Sequence, residues 1–348
     1  MQRITAMLTS SRRALPAGLE TVFKRTLFDR NLRALKPEGT PMIASEPTVF
    51  CMLATPFDAD GSIDEPGLRA HLRRMVQAGV GVYLGSGGAG EGHALSLREL
   101  RRVYDIGVAE CGGNVPTYAN PPEARSAVQM LEMMREAVLA GVDAVQIYPV
   151  DGGHGMRPTY AEQERYYHHL LDRIDHPIAL SVHVSSGYIV PIALLKALCE
   201  RYPQIIAINV MGTPIHYLVE LRDAVPGIAI YVRMVNVVEG LAIGCQGCLA
   251  AEPNIVPRLC RSVVDHYRAG DMVACGAALA NVVRFAAIVD RWSPSTARWV
   301  KMAMMVLDLP GSGAGRLREP YVLPAQSELD AMAAAFERLG VRRLEGLA

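Results

Sequence analysis

His183 closes the otherwise apolar run PIALSVHV (177–184). An imidazole titrates near neutrality, so there it suits a general acid or base, the alternative being a rim histidine satisfied by a backbone carbonyl. Asn209 interrupts a second apolar run, QIIAINV (204–210), where its amide suits the holding of a developing oxyanion. The stretch YPVDGGHGMRPTY (148–160) adds Asp151, His154 and Arg157, and a guanidinium at that place suits bidentate binding of a carboxylate. Arg233 ends the run IAIYVR (228–233); inside a fold it must pair with Glu252 or Glu91, or meet an anionic substrate. Glu252 and Asn254 stand at and after the end of GCLAAE (247–252). Asp151, His154, His183 and Glu252 are the right types to hold zinc, manganese or iron as an electrophile for an enolate. None of them falls in a tight spacing such as H-x-H or H-E-x-x-H. The expectation is therefore a site without a cofactor, a divalent metal on those four residues being the lesser alternative.

Most of these residues stand at or just after the end of a short β-rich run. There are eight such runs: VFCMLAT (49–55), VGVYLG (80–85), VPTYAN (115–120), DAVQIYP (143–149), PIALSVHV (177–184), QIIAINV (204–210), IAIYVR (228–233) and GCLAAE (247–252). Amphipathic helical stretches alternate with them. Ser96 and Glu99 read as a capping box, and Pro66, Pro122 and Pro191 stand at or near helix starts. QAGVGVYL and LAGVDAVQI repeat one helix, Ala-Gly-Val, strand unit, with Gly79 and Gly141 two units apart. Eight strands, each followed by a helix, is the count of a parallel (β/α)8 barrel, a fold whose chemistry sits in the loops after the strands.

The segment GSGGAGEG (85–92) satisfies the dinucleotide spacing G-x-G-x-x-G with Gly85, Gly87 and Gly90. In a dinucleotide fold the helix opens inside the motif and the next strand ends in an acid. Here the helix signal waits until Ser96, and the next strand ends in Asn120. The segment reads instead as a rim loop in which Gly88, Ala89 and Glu91 approach a ligand.

Half of the 348 residues are apolar, and 35 basic residues balance 35 acidic ones. Without a net field the chain has no electrostatic call on nucleic acid or an anionic membrane, and a small-molecule substrate is the expected partner. The seven scattered cysteines read as buried thiols of a reducing, cytoplasmic compartment, and Cys245-x-x-Cys248 lacks the second pair of a zinc site. No apolar run reaches the roughly 18 residues of a membrane span. Residues 1–46 form an N-terminal extension, basic at Arg3, Arg12 and Arg13, which reads as an arm rather than a targeting peptide. Within it LETVFKRTLFDRNLRAL has helical apolar spacing, suited to packing on a neighbouring subunit. The barrel is placed at 47–268, and a helical region broken at GSGAG (311–315) at 269–348.

Thr55-Pro56-Phe57-Asp58 with Gly61 and Asp64, then Gly87-Gly88-Ala89-Gly90-Glu91, then Gly247 through Asn254 with Pro257, stand in a suggestive order and spacing. With the tail segment LDLPGSGAGRLREPYVLP they resemble the dihydrodipicolinate synthase and N-acetylneuraminate lyase family over roughly residues 47–340. The resemblance implies a barrel with extra C-terminal helices, a homo-oligomer (dimer or tetramer), and aldol cleavage, condensation or dehydration of 2-oxo acids. It also implies a lysine at the end of strand six that forms a Schiff base with the oxo carbon. The sequence departs from that pattern. Aligning IIAINVMG on strand six puts Asn209 in the lysine's place, and the lysines are Lys24, Lys36, Lys196 and Lys301. The family's strand-five tyrosine corresponds to Ser181 counted from Pro177, or to Leu180 counted back from Gly187. Its paired threonines, which hold the substrate carboxylate, correspond to Gly88 and Ala89, and its tyrosines after strand four to Val150 and Asp151. Arg157-Pro158-Thr159 is similar to its Arg-Pro-Ser/Thr, in a loop about four residues longer.

The expected function is a lyase acting next to the carbonyl of an oxo-acid-like substrate without a lysine Schiff base. His183, Asn209, Asp151 and His154 are the candidate catalytic residues, and Gly88, Ala89, Glu91, Arg157, Arg233, Glu252 and Asn254 the candidate substrate contacts. The alternatives are a catalytically silent ligand-binding or regulatory barrel and a metal-dependent aldolase or hydratase.

Overall fold

Strand and helix alternate from Thr48 onward in the computed structural model, which describes residues 48–292, 296–313 and 316–347; the N-terminal extension lies outside the described residues. The first four strands are β1 (Thr48–Met52), β2 (Gly81–Leu84), β3 (Thr117–Ala119) and β4 (Ala144–Ile147). They continue as β5 (Ile178–His183), β6 (Ile205–Met211), β7 (Ala229–Val232) and β8 (Gly247–Ala250). All neighbours pair in parallel and β1 closes on β8, giving the closed eight-stranded barrel that the eight apolar runs imply. The helices that follow β1 to β4 are α1 (Glu65–Gln77), α2 (Leu97–Cys111), α3 (Ala127–Ala140) and α4 (Tyr160–Leu171). Those after β5 to β8 are α5 (Ile192–Arg201), α6 (Ile215–Ala224), α7 (Val237–Ala242) and α8 (Pro257–Arg268). The chain then adds α9 (Met272–Val289), α10 (Thr296–Val306), α11 (Gln326–Leu339) and α12 (Val341–Glu345).

Local signals explain most of these boundaries. Ser96 and Glu99 form the reciprocal capping box of α2, and Thr159 and Glu162 form a second one on α4. Pro66 lies in the first turn of α1 and Pro191 caps α5, but Pro122 opens no helix. There α3 begins at Ala127, because the Ser126 hydroxyl accepts the Gln129 N–H and so sets the cap. Gly79 and Gly141 follow α1 and α3 with φ of +65° and +84°, so the repeated Ala-Gly-Val marks the same left-handed turn from helix into strand.

The strands are buried on both faces. Val49, Cys51, Val82, Leu84, Val145 and Leu180 belong to the apolar layer between sheet and helices. Inside the barrel Phe50 packs against Tyr83, Tyr118 and Tyr231 at ring-centroid distances of 5.0, 4.9 and 5.1 Å, opposite Ala144, Ala179 and Ala207. Large side chains from four strands thus meet small ones from three, which fills the lower barrel and leaves the carboxyl ends of the strands for chemistry.

Helix α9 with the turn after it, Met272–Trp292, is 21 residues long and apolar enough to cross a membrane by length and composition alone, although Asn281 and Arg284 keep any uninterrupted apolar run within it far shorter than a span. It packs along α8 and beside α11, where Phe285 stacks on Phe336 at 5.4 Å. All seven cysteines are free thiols, and burial pushes the Cys245 thiol up to about 11.

Candidate active site

Pairing of β5 with β6 sets the polar interior. Ser181 lies opposite Asn209, and His183 opposite Met211. Residues opposed in a parallel pair share a face, and Ala179, Ala207 and Met211 belong to the interior cluster, so Ser181, Asn209 and His183 point inward. Leu180 packs outward among the helices. Ser181 is therefore the inward-facing residue beside Asn209.

Asn209 belongs to a buried amide layer. Its Nδ2 donates to Tyr83 Oη at 3.0 Å and to Gln146 Oε1 at 2.5 Å, while Gln146 Nε2 donates to Asn120 Oδ1 at 2.7 Å. With both N–H groups engaged, Asn209 has no donor left for an oxyanion. Its Oδ1 is buried without a hydrogen-bond partner among the described residues. Met211 and His183, the next inward pair toward the mouth, line the cavity above, so the fully buried Asn209 sits beneath its floor. The signal for Gln146 was present in DAVQIYP, as a polar residue on the inward register of an apolar strand.

The mouth holds a cavity of about 280 Å3, where His183 from β5, Arg233 after β7 and Glu252 after β8 converge. Met52, Met211 and Leu249 line it from the strands, and Val289 and Trp299 line it from α9 and α10. Burial, reinforced by the charge of Arg233, lowers the pKa of His183 and so favours its neutral ring. Burial raises the pKa of Glu252, opposed by backbone N–H groups and by Arg233. Arg233 itself is exposed at the rim, so solvent removes the cost expected of a cation inside a barrel. An imidazole shifted toward its neutral form, a carboxyl shifted toward its acid form and a guanidinium thus face one space, the elements of a base, an acid and an anion anchor. Trp299 carried no sequence signal, since nothing local tells which tail residue folds back over the mouth.

Other candidates lie elsewhere. Asp151 lines a separate rim cavity of about 570 Å3 together with His93, Glu123 and Arg125, 3.6 Å from the Arg125 guanidinium. Its backbone N–H donates to the Ala124 carbonyl at 2.8 Å, which ties the long loop after β4 to the β3 loop. His154 and Arg157 are exposed on that loop, and His154 has φ of +52°. The possible metal set of Asp151, His154, His183 and Glu252 is therefore not assembled; among the described residues no group of three His, Cys, Asp or Glu side chains could hold an ion.

The glycine loop after β2 serves chain packing. A Cβ on Gly92 would lie 1.9 Å from the Gly85 carbonyl oxygen, and one on Gly90 3.0 Å from that of Leu53. Glu91 is buried against the tail: its carboxylate pairs with Lys301 and accepts the Arg318 N–H at 2.8 Å. Lys301 Nζ and the Arg318 guanidinium lie 4.0 and 4.4 Å from the Phe57 ring centroid. Burial lowers Lys301 to about 8 against the pull of Glu91. Ala89 is buried, whereas Gly88 is exposed with its Cβ position 3.8 Å from Thr296, a residue of the mouth cavity. Asn254 is fully buried: its Oδ1 accepts the Ala54 N–H at 2.9 Å and bonds His71 Nε2 at 3.0 Å. Its Nδ2 donates to the carbonyls of Met52 and Ala251, both at 2.8 Å. Glu91 and Asn254 thus hold the framework where the sequence suggested substrate contacts.

Residues 47–339 match the dihydrodipicolinate synthetase family. The chain belongs to that family. This dihydrodipicolinate synthetase family member is 30% identical, over 278 residues, to an uncharacterized DapA-like lyase of Halobacterium salinarum, covering 77% of this chain and 86% of the relative. It is 27% identical over 229 residues to the 4-hydroxy-tetrahydrodipicolinate synthase of Methanopyrus kandleri, covering 64% and 75%. Its fold is similar to that of the E. coli prophage protein YagE, solved in complex with pyruvate, with a TM-score of 0.78, 19% identity and coverage of 85% and 99%. Dihydrodipicolinate synthase of Aquifex aeolicus follows at a TM-score of 0.77, 15% identity and coverage of 85% and 98%. Membership in the dihydrodipicolinate synthetase family, with relatives named as lyases, supports a lyase- or aldolase-type function.

Proposed function

We propose that this chain is a lyase acting next to the carbonyl of a small 2-oxo acid without a lysine imine, with His183, Glu252 and Arg233 carrying the chemistry. The observation that supports this reading is their convergence on one cavity while β6 carries Asn209 and no lysine. The 2-oxo acid class is drawn from the relative solved with pyruvate. The Arg233 fork holds the substrate carboxylate. Neutral His183 takes the proton α to the carbonyl; the C–H pair becomes a C=C bond, and the oxo oxygen takes a proton from Glu252 to give an enol. Where a hydroxyl stands β to the carbonyl, Glu252 recovers its proton as the enol collapses, and the hydroxyl leaves as water with the proton held by His183. For carbon–carbon cleavage His183 takes the proton of that hydroxyl instead, and the electron pair of the broken bond forms the enol.

Exchange of the pyruvate methyl protons in D2O, followed by NMR, tests the reading. The protein should accelerate exchange, and His183→Ala should slow it by ~100-fold or more. Exchange that is equally fast in His183→Ala would remove His183 from the mechanism.

A further inference from the structure

Resting on that reading of the mouth cavity, we propose that it selects a monocarboxylic oxo acid with an apolar, planar substituent, such as an aryl group, over diacids and polyhydroxylated acids. Arg233 is the only Lys or Arg among the described residues lining the cavity, where Glu252 and Asp290 also stand. One carboxylate is matched, and a second finds no further cation among the described lining residues. The rest of the lining is mostly apolar: Met52, Met211, Met234, Leu249, Val289 and Trp299. Three flexible thioethers and an indole suit the faces and edges of an aromatic ring. Apart from Thr296, no hydroxyl or amide side chain stands among the described lining residues, so a chain of sugar hydroxyls would find partners only in Thr296, His183, Arg233, Glu252 and Asp290, and those set against the Met, Leu, Val and Trp lining would be desolvated without compensation. A dry cavity of about 150 Å3 accepts benzene. The volume of about 280 Å3 here leaves room for a ring and a three-carbon acid. Ala286 of α9, small and partly buried, keeps the apolar wall open.

Isothermal titration calorimetry of the full chain with 3-phenylpropanoate, succinate and gluconate tests the selectivity. The expected result is saturable binding of 3-phenylpropanoate at least ~10-fold tighter than either competitor. That binding should weaken by ~10-fold or more in Arg233→Met, which removes the anchor at an exposed position, and in Ala286→Phe, which fills the wall and spares the anchor. No binding of 3-phenylpropanoate, or binding indifferent to both substitutions, overturns the proposal. So does Arg233-dependent binding of succinate or gluconate at comparable strength. Tight, Arg233-dependent binding of 3-phenylpropanoate by a protein that exchanges no pyruvate protons would retain the selectivity and remove the lyase.

Discussion

A cation beside an imidazole disfavours its protonation, and Arg233 stands in that relation to His183 while stabilising the ionised form of Glu252. Both effects have one sign. Removing Arg233 raises the pKa of the base and of the acid together. If His183 must be neutral, the acid limb of the exchange rate lies below its ordinary value near 6.5 in the wild type. If Glu252 must be protonated, the alkaline limb lies above the usual carboxylate range. In Arg233→Met both limbs should move to higher pH, alongside weaker pyruvate binding. A pH profile of unchanged position would separate Arg233 from the two titrating groups. His183, Arg233 and Glu252 were legible in the sequence because each stands at the carboxyl end of a strand. The direction of the Asn209 amide was not legible, because Tyr83 and Gln146 decide it from two other strands.

Between elements, the β2 loop is held from the tail. Lys301 of α10 and the backbone of Arg318 grip Glu91, and both cations cover Phe57 after β1, so one buried cluster fixes two loops of the mouth to the C-terminal region. Breaking a buried ion pair by truncating one partner leaves an uncompensated charge and costs about 3–5 kcal/mol. Lys301→Met should lower stability in urea unfolding by that order. Glu91→Leu together with Lys301→Met should cost less than the two single changes summed. Additive losses would mean that the pair is not coupled. Glu91 looked like a ligand contact because it ends a glycine loop; only its partner, 210 positions along the chain, reveals the brace.

At the scale of the molecule, the last helix returns to the barrel. Glu345 of α12 accepts the N–H groups of Arg258 at 3.2 Å and Leu259 at 2.8 Å, in the first turn of α8, and burial pushes its carboxyl up to about 7. A carboxyl whose folded pKa exceeds its unfolded value contributes most below the unfolded value, and that contribution is lost as pH rises through the folded one. The Tm should therefore decline between pH 5 and pH 8 more steeply in the wild type than in Glu345→Gln; parallel curves would show that the group does not titrate on unfolding. Strand count, barrel class, the Ser96 cap and the two Ala-Gly-Val turns were all determined by the sequence itself, because periodicity, capping and positive φ act over a few neighbouring residues. Closure and register were decided in three dimensions, as were the partition of the polar residues between mouth, amide layer, rim and brace and the folding of Trp299 over the mouth. Those outcomes depend on which side chains from distant strands and helices meet in a low-dielectric interior, where each polar group must find its partner, and that choice is made by packing rather than by spacing.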